Sequence, residues 1–219
     1  MNKPIRLKIC GMREHANIHE VSRFAPDYMG FIFYPHSRRY VGDRFHVPAT
    51  LPASIQRVGV FVNAEWEEVR RMADLHRLDY VQLHGHETVA YCQSLRETGI
   101  QIIKVFGVGD GFSLSQTEEY QPHVKYFLFD TKVDGYGGSG TTFDWSVLSG
   151  YKGPVPYFLS GGIDASNIHQ IPPESVRYLH GVDVNSTLEI SPAVKDPGRV
   201  FAFQHELNLV NQQFQSYRA

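Results

Sequence analysis

The chain has 219 residues, 42% of them hydrophobic and 20% charged, with a formal net charge of −2. That length can bury a large core, and the near-balanced charge excludes a global basic field drawing the chain to nucleic acid or a membrane surface. Two cysteines, Cys10 and Cys92, exclude a disulfide scaffold and fit a reducing, cytoplasmic setting. The opening Met-Asn-Lys-Pro-Ile-Arg runs straight into a strand-like segment, so no signal peptide is expected. The longest apolar runs, such as Tyr28 to Tyr34, are far too short to span a bilayer.

Strand-like runs recur along the chain at Ile5–Cys10, Tyr28–Phe33, Arg57–Val62, Tyr80–His84, Gln101–Val108, Tyr126–Thr131, Pro156–Ser160 and Gly181–Val184. Most are continuous apolar runs, as expected of strands covered on both faces. Helical patterns lie between them. Ala64 to Arg77 places Trp66, Val69, Met72, Ala73 and His76 on one face, and Glu87 to Thr98 does the same with Val89, Cys92 and Leu95, with Gly99 as a C-cap. Gly109 to Lys125 reads as loop with one short helix. Asp196 caps a last helix with Pro197 at its first position and Val200, Phe203, Leu207 and Val210 facing inward. Eight strand–helix alternations in one chain, without linker or low-complexity tract, predict a single-domain (β/α)8 barrel over 1–219; an open doubly wound sheet is the competing architecture.

In such a barrel the loops after the strands form the active face. Cys10 precedes Gly11 at the first strand end. Asp130 ends an apolar run, Phe127-Leu-Phe-Asp130, and is followed by a mobile, Gly-rich loop, Gly137-Gly-Ser-Gly140. Desolvation there would raise the Asp130 pKa until it holds a proton near neutrality, whereas Cys10 would need its pKa lowered, for instance by a helix N-terminus, to act as a base. The loops Ser160-Gly161-Gly162 and Asp183-Val-Asn185-Ser186 fall after strands seven and eight, where barrels build phosphate sites from backbone N–H groups and a helix N-terminus, without lysines. Arg38 or Arg39 could fork onto a substrate carboxylate, and spacing does not choose between them. His84 and His86 lack further ligands at metal spacing, so no metal site is expected and His84 reads as a polar lining residue. Cys92 reads as core.

The chain resembles the phosphoribosylanthranilate isomerases of tryptophan biosynthesis. The resemblance is carried in order by Lys8-Ile-Cys-Gly11, Gly30-Phe-Ile-Phe33, Ser37-Arg-Arg-Tyr-Val41, Val58-Gly-Val-Phe-Val62, Val81-Gln-Leu-His-Gly85, Asp130-Thr131, Gly137-Gly-Ser-Gly140, Phe143-Asp-Trp145, Ser160-Gly-Gly162, and Gly181-Val-Asp-Val184 running to Lys195-Asp196. It implies a cofactor-free Amadori rearrangement of a phosphosugar amine. Asp130 would be the general acid that opens the furanose ring, and Cys10 the general base at sugar C2. Arg39 would meet the anthranilate carboxylate. Gln82 and His84 would line the pocket, and Gly161, Gly162, Asp183, Asn185 and Ser186 would hold the phosphate, largely through main-chain groups. A monomer or a homodimer is expected.

This chain departs from the family at three places. Arg38 stands where Pro is frequent, His86 where Asp is common, and Asn185-Ser-Thr187 where the family usually has Ser-Ser-Gly. The last replaces a Gly by a β-branched residue that resists positive φ, so altered phosphate affinity is expected. Competing functions are a metal-dependent pentose-phosphate epimerase, an indole-glycerol-phosphate synthase-like cyclase, an aminoaldose isomerase for a substrate with two phosphates, and a non-catalytic phosphosugar-binding barrel. The cyclase needs a lysine at a strand end, whereas Lys104 lies within strand five. The binding barrel would lack the acid or the base, and both are present.

Overall fold

The computed structural model describes residues 4–132 and 142–215. The Gly137-Gly-Ser-Gly140 segment lies outside the described residues. Eight strands, β1 (Arg6–Ile9), β2 (Tyr28–Ile32), β3 (Gln56–Phe61), β4 (Tyr80–Leu83), β5 (Ile102–Val108), β6 (Tyr126–Thr131), β7 (Tyr157–Leu159) and β8 (Leu179–Val184), pair in sequence order. All pairings are parallel, and β8 closes on β1 with Lys8 opposite Asp183. The barrel is therefore closed, and the doubly wound alternative is excluded.

Alternate residues on each strand serve two cores, which explains why the runs read as continuously apolar. Leu7, Ile9, Met29, Phe31, Phe127, Phe129, Leu159 and Val182 pack outward into a core they share with the surrounding helices. Phe61, Val81, Leu83 and Ile102 form a second outer core with Val69, Ala73, Cys92 and Leu95. Tyr28, Val58, Ile103, Leu128, Tyr126 and Phe158 fill the lower interior, where Tyr126 stacks on His180 with 4.2 Å between ring centroids. Above that layer the interior turns polar, with Lys8, Gln82 and Asp183 all buried.

Helices α1 (His15–Ser22), α2 (Trp66–His76), α3 (Val89–Glu97) and α4 (Pro197–Gln213) follow β1, β3, β4 and β8. Val69, Ala73 and His76 are buried on α2, Cys92 and Leu95 on α3, and Val200, Phe203, Leu207 and Val210 on α4, as expected, whereas Trp66, Met72 and Val89 are only half-buried; Cys92 is core. Thr88 caps α3 on the Tyr91 amide, and Gly99 turns the chain at φ +90° beyond its end. Asp196 caps α4 through the Gly198 and Arg199 amides, at 2.8 and 3.3 Å.

Strict strand–helix alternation is not observed. No helix follows β2, where Pro35, Pro48 and Pro52 interrupt the segment. Among the described residues, the connections after β5, β6 and β7 carry only 3-10 helices, Leu114–His123, Trp145–Gly150, Ile168–Gln170 and Pro173–Arg177. Pro122, Pro172 and Pro173 remove the donors that longer α-helices would need. After β8, a 3-10 turn (Ser186–Leu188) leads into a small hairpin of β9 (Glu189–Ser191) and β10 (Val194–Lys195) beside the barrel mouth.

Candidate active site

The C-terminal strand ends surround one open-mouthed cavity. Cys10 and Asp130, far apart in sequence, both line it. So do Arg39, Gln82, His84, Gly161, Gly162, Asp183, Asn185 and Ser186, so every candidate residue falls on this one surface.

Glycines let the backbone close in around the thiol. A Cβ on Gly30 would lie 2.6 Å from the Cys10 Sγ. Gly11, at φ +71°, admits both the Arg39 stem and the Asn185 amide to the place where its own side chain would stand, each 2.7 Å from an added Cβ.

Asp130 is pushed up to about 6, first by burial and then by the nearby charge of Asp183; the Thr131 amide and the Ser160 hydroxyl oppose the shift by hydrogen bonding the carboxylate. That is the poised acid expected from its desolvated strand end. His84 is pushed down to about 4 by burial and by the Lys104 and Lys8 charges, so its imidazole is neutral near pH 7. Its Nε2 lies 3.5 Å from Asp130 Oδ2, and its Nδ1 faces Gln82 Nε2 at 3.1 Å. An amide N–H can only donate, so Nδ1 accepts and the proton sits on Nε2, towards Asp130. Gln82 Oε1 is buried with no hydrogen-bond partner among the described residues, and it borders the cavity. A ligand donor there would complete it.

Cys10 corrects an expectation. Its thiol is raised, not lowered: burial outweighs the Lys8 charge beside it. α1 starts only at His15 and supplies no dipole at the sulfur. The thiol is therefore protonated near neutrality, with Lys8 and Lys195 as the cations that favour its anion. Lys8 Nζ donates to Asp183 Oδ1 at 2.7 Å, both side chains buried, and despite burial Asp183 keeps the ammonium charged.

Of the two arginines, Arg39 is buried and Arg38 is exposed. Arg39 forks onto Glu189, Nε to Oε1 at 2.8 Å and Nη2 to Oε2 at 2.7 Å. At the other end, Gly161 and Gly162 adopt φ of +87° and +65°. Their N–H groups donate to no protein acceptor among the described residues. Thr187 does not adopt the positive φ that a β-branched residue resists. It sits in the 3-10 turn, and its hydroxyl donates to the Ile163 carbonyl at 2.7 Å. A lysine does lie under this loop, contrary to expectation: buried Lys195 donates to Asn185 Oδ1 at 2.6 Å and to Glu189 Oε1 at 2.7 Å.

Sequence reasoning did not single out Glu189, Lys195 or Lys8 as site residues. Lys8 and Lys195 stood inside quoted motifs, but a lysine in an apolar strand is itself the signal, since it is almost never buried unpaired. Lys104 points away from the barrel interior and donates to Glu87 Oε2 at 2.8 Å and to the Gly85 carbonyl at 2.7 Å. It braces the His84-Gly85 turn and does not reach the cavity, against the cyclase reading. His86 is exposed, and no group of three or more potential metal-ligating acids, histidines or cysteines occurs among the described residues.

Closed parallel strands with a poised carboxyl, a thiol and uncommitted glycine amides at one rim define a (β/α)8 barrel enzyme that works at its C-terminal face. Residues 7–206 match the family model for N-(5'-phosphoribosyl)anthranilate (PRA) isomerase. The N-(5'-phosphoribosyl)anthranilate isomerase of Parabacteroides distasonis is 43% identical over 205 residues, covering 92% of each chain. The solved phosphoribosylanthranilate isomerase of Thermotoga maritima superposes with a TM-score of 0.81 at 34% identity, covering 93% of this chain and 98% of that one. A further isomerase structure, in complex with reduced 1-(o-carboxyphenylamino)-1-deoxyribulose 5-phosphate, matches with a TM-score of 0.77 at 30% identity and the same coverage. The chain belongs to the N-(5'-phosphoribosyl)anthranilate isomerase family, and is an isomerase of the aldose–ketose type.

Proposed function

We propose that residues 1–219 form one catalytic domain in which Asp130 and Cys10 act as the acid and base of the family reaction. The chain isomerises N-(5'-phosphoribosyl)anthranilate to 1-(2-carboxyphenylamino)-1-deoxyribulose 5-phosphate in tryptophan biosynthesis. The observation that carries the residue roles is the convergence of Cys10, Asp130 and the glycine amides on one cavity.

Asp130, titrating at about 6, gives its proton to the furanose ring oxygen, and the ring opens to a Schiff base. The neutral His84, orientated by Gln82, stands against the carboxylate so formed. Cys10, as thiolate, removes the proton from sugar C2 to give an enolamine, which tautomerises to the ketose. Lys8 is the cation beside that thiolate. The phosphate lies at Gly161, Gly162, Asn185 and Ser186. Asp183 borders it with its carboxylate committed to Lys8. Arg39 takes the anthranilate carboxylate. No cofactor enters these steps. The ligand is a small phosphosugar, not a nucleic acid or a membrane, and the setting is cytoplasmic; no helix among the described residues is long and apolar enough to cross a membrane. The chain works as a monomer or a homodimer.

The test is turnover of the labile substrate, generated in place and followed by loss of its fluorescence, with the wild type and Cys10→Ala side by side. Conversion by the wild type and a nearly inactive variant are expected. A variant with wild-type turnover would remove Cys10 from the mechanism.

A further inference from the structure

Beyond the acid and the base, the most highly charged buried cluster at the cavity is the one around Glu189. Its carboxylate is saturated. Oε1 accepts from Arg39 Nε at 2.8 Å, Lys195 Nζ at 2.7 Å and the Ala193 amide at 3.0 Å, and Oε2 accepts from Arg39 Nη2 at 2.7 Å. A carboxylate with four donors has no capacity left for proton transfer, so Glu189 is not itself a base. Although burial alone would raise it, the Arg39 hydrogen bonds and the Lys195 charge hold it low, so it stays ionised.

The consequence falls on Arg39. This residue comes from the helix-free segment after β2, where little regular structure orders a long side chain. A free guanidinium has several rotatable bonds to immobilise and can present either fork edge to a carboxylate. Here Nε and one of the two Nη2 hydrogens are spent on Glu189. Nη1 makes no hydrogen bond with any described residue, and Arg39 lines the cavity. The arginine therefore has its Nε/Nη2 edge fixed on Glu189 and keeps one preorientated, charge-assisted edge for a ligand, the Nη1/Nη2 fork.

We propose that Glu189 is a positioning residue that sets selectivity for a carboxylated substrate, by clamping one edge of Arg39 so that the remaining Nη1/Nη2 edge reads the ligand's carboxylate. This rests on the assignment of Arg39 to the anthranilate carboxylate. Lys195 joins the same carboxylate to Asn185, so the hairpin β9–β10 ties the carboxylate end of the cavity to its phosphate end.

The test compares two substrates made in place, the phosphoribosyl adducts of anthranilate and of aniline, which differ only in the ring carboxylate. The readout is the ratio of their kcat/KM values. Glu189→Gln should lower this ratio about tenfold or more, since hydrogen bonds to charged groups are each worth about 1.5–3 kcal/mol. Glu189→Asp keeps the charge but shortens the reach, and should lower the ratio in a chain that still folds. In an Arg39→Met background, Glu189→Gln should change the ratio no further. A parallel fall for both substrates, or an undiminished effect without Arg39, overturns the positioning role and leaves Glu189 a structural residue. Failure of the wild type to turn over either adduct overturns the assigned reaction itself, and this role with it.

Discussion

Asp130 and Cys10 were both legible as strand-end residues, but their titration was legible for only one of them. A carboxyl ending an apolar run is desolvated, and it is found at about 6. A thiol in the same position is desolvated too, and nothing in the sequence says that this will outweigh the two lysines near it. An acid titrating at about 6 and a base titrating above the ordinary thiol value make the productive pair a minority of the free enzyme. Below pH 6 the acid is protonated and thiolate grows with pH. Above pH 6 the loss of protonated acid cancels that growth. kcat/KM should rise about tenfold per pH unit and then level off near 6. The Ser160 hydroxyl holds the Asp130 carboxylate down, so Ser160→Ala should move the break upward, whereas a break belonging to the substrate phosphate would not move. Asp130→Asn should lower kcat by roughly 10²–10⁴ with little effect on binding; near-normal turnover in a stopped assay would end the acid assignment. Iodoacetamide should label Cys10 slowly at pH 7 and faster as the pH passes the ordinary thiol range.

At the scale of elements, the anion end of the cavity depends on backbone shape. A Cβ on Gly161, already at φ +87°, would stand 2.2 Å from the Thr131 hydroxyl. Gly161→Ala should therefore displace the amide and raise KM and the inhibition constant of inorganic phosphate together, with a smaller effect on kcat. Thr187 behaves oppositely. It occupies a 3-10 turn and holds the Ile163 carbonyl, so Thr187→Gly should leave phosphate inhibition within a few-fold and cost about 1 kcal/mol of stability, read by urea unfolding. A large gain in phosphate affinity would mean that the loop is not already in a productive shape. The strands and helices α2, α3 and α4 were readable because each is a local pattern of burial; α1, a short helix, was not singled out. The missing helix after β2 was announced by three prolines, but eight evenly spaced strands invited the assumption that all gaps are alike.

For the molecule as a whole, the polar layer inside the barrel is the costly part of the design. Lys8 and Asp183 are paired across the β1–β8 seam that closes the barrel. Lys8→Met would leave a buried carboxylate without its cation, and should cost about 3–5 kcal/mol. Chemical denaturation would measure it, and activity should fall as well, since Lys8 also faces Cys10. A Lys8→Met, Asp183→Leu double variant should recover much of the stability and none of the activity. A double variant as unstable as the single one would place the cost in packing instead of charge.

The sequence by itself determined the barrel, the strand-end carboxyl and thiol, and the glycine loops, because each is written in contiguous residues: an apolar run, its last polar residue, and a glycine pair after it. Which arginine turns inward, what holds it, and how the thiol titrates were decided only by the tertiary structure. Arg39, Glu189 and Lys195 come from the segment after β2 and from the hairpin after β8. The charges that set Cys10 arrive from β1, β8 and that hairpin. Charge interactions act through space and depend on burial, so no local pattern along the chain records them.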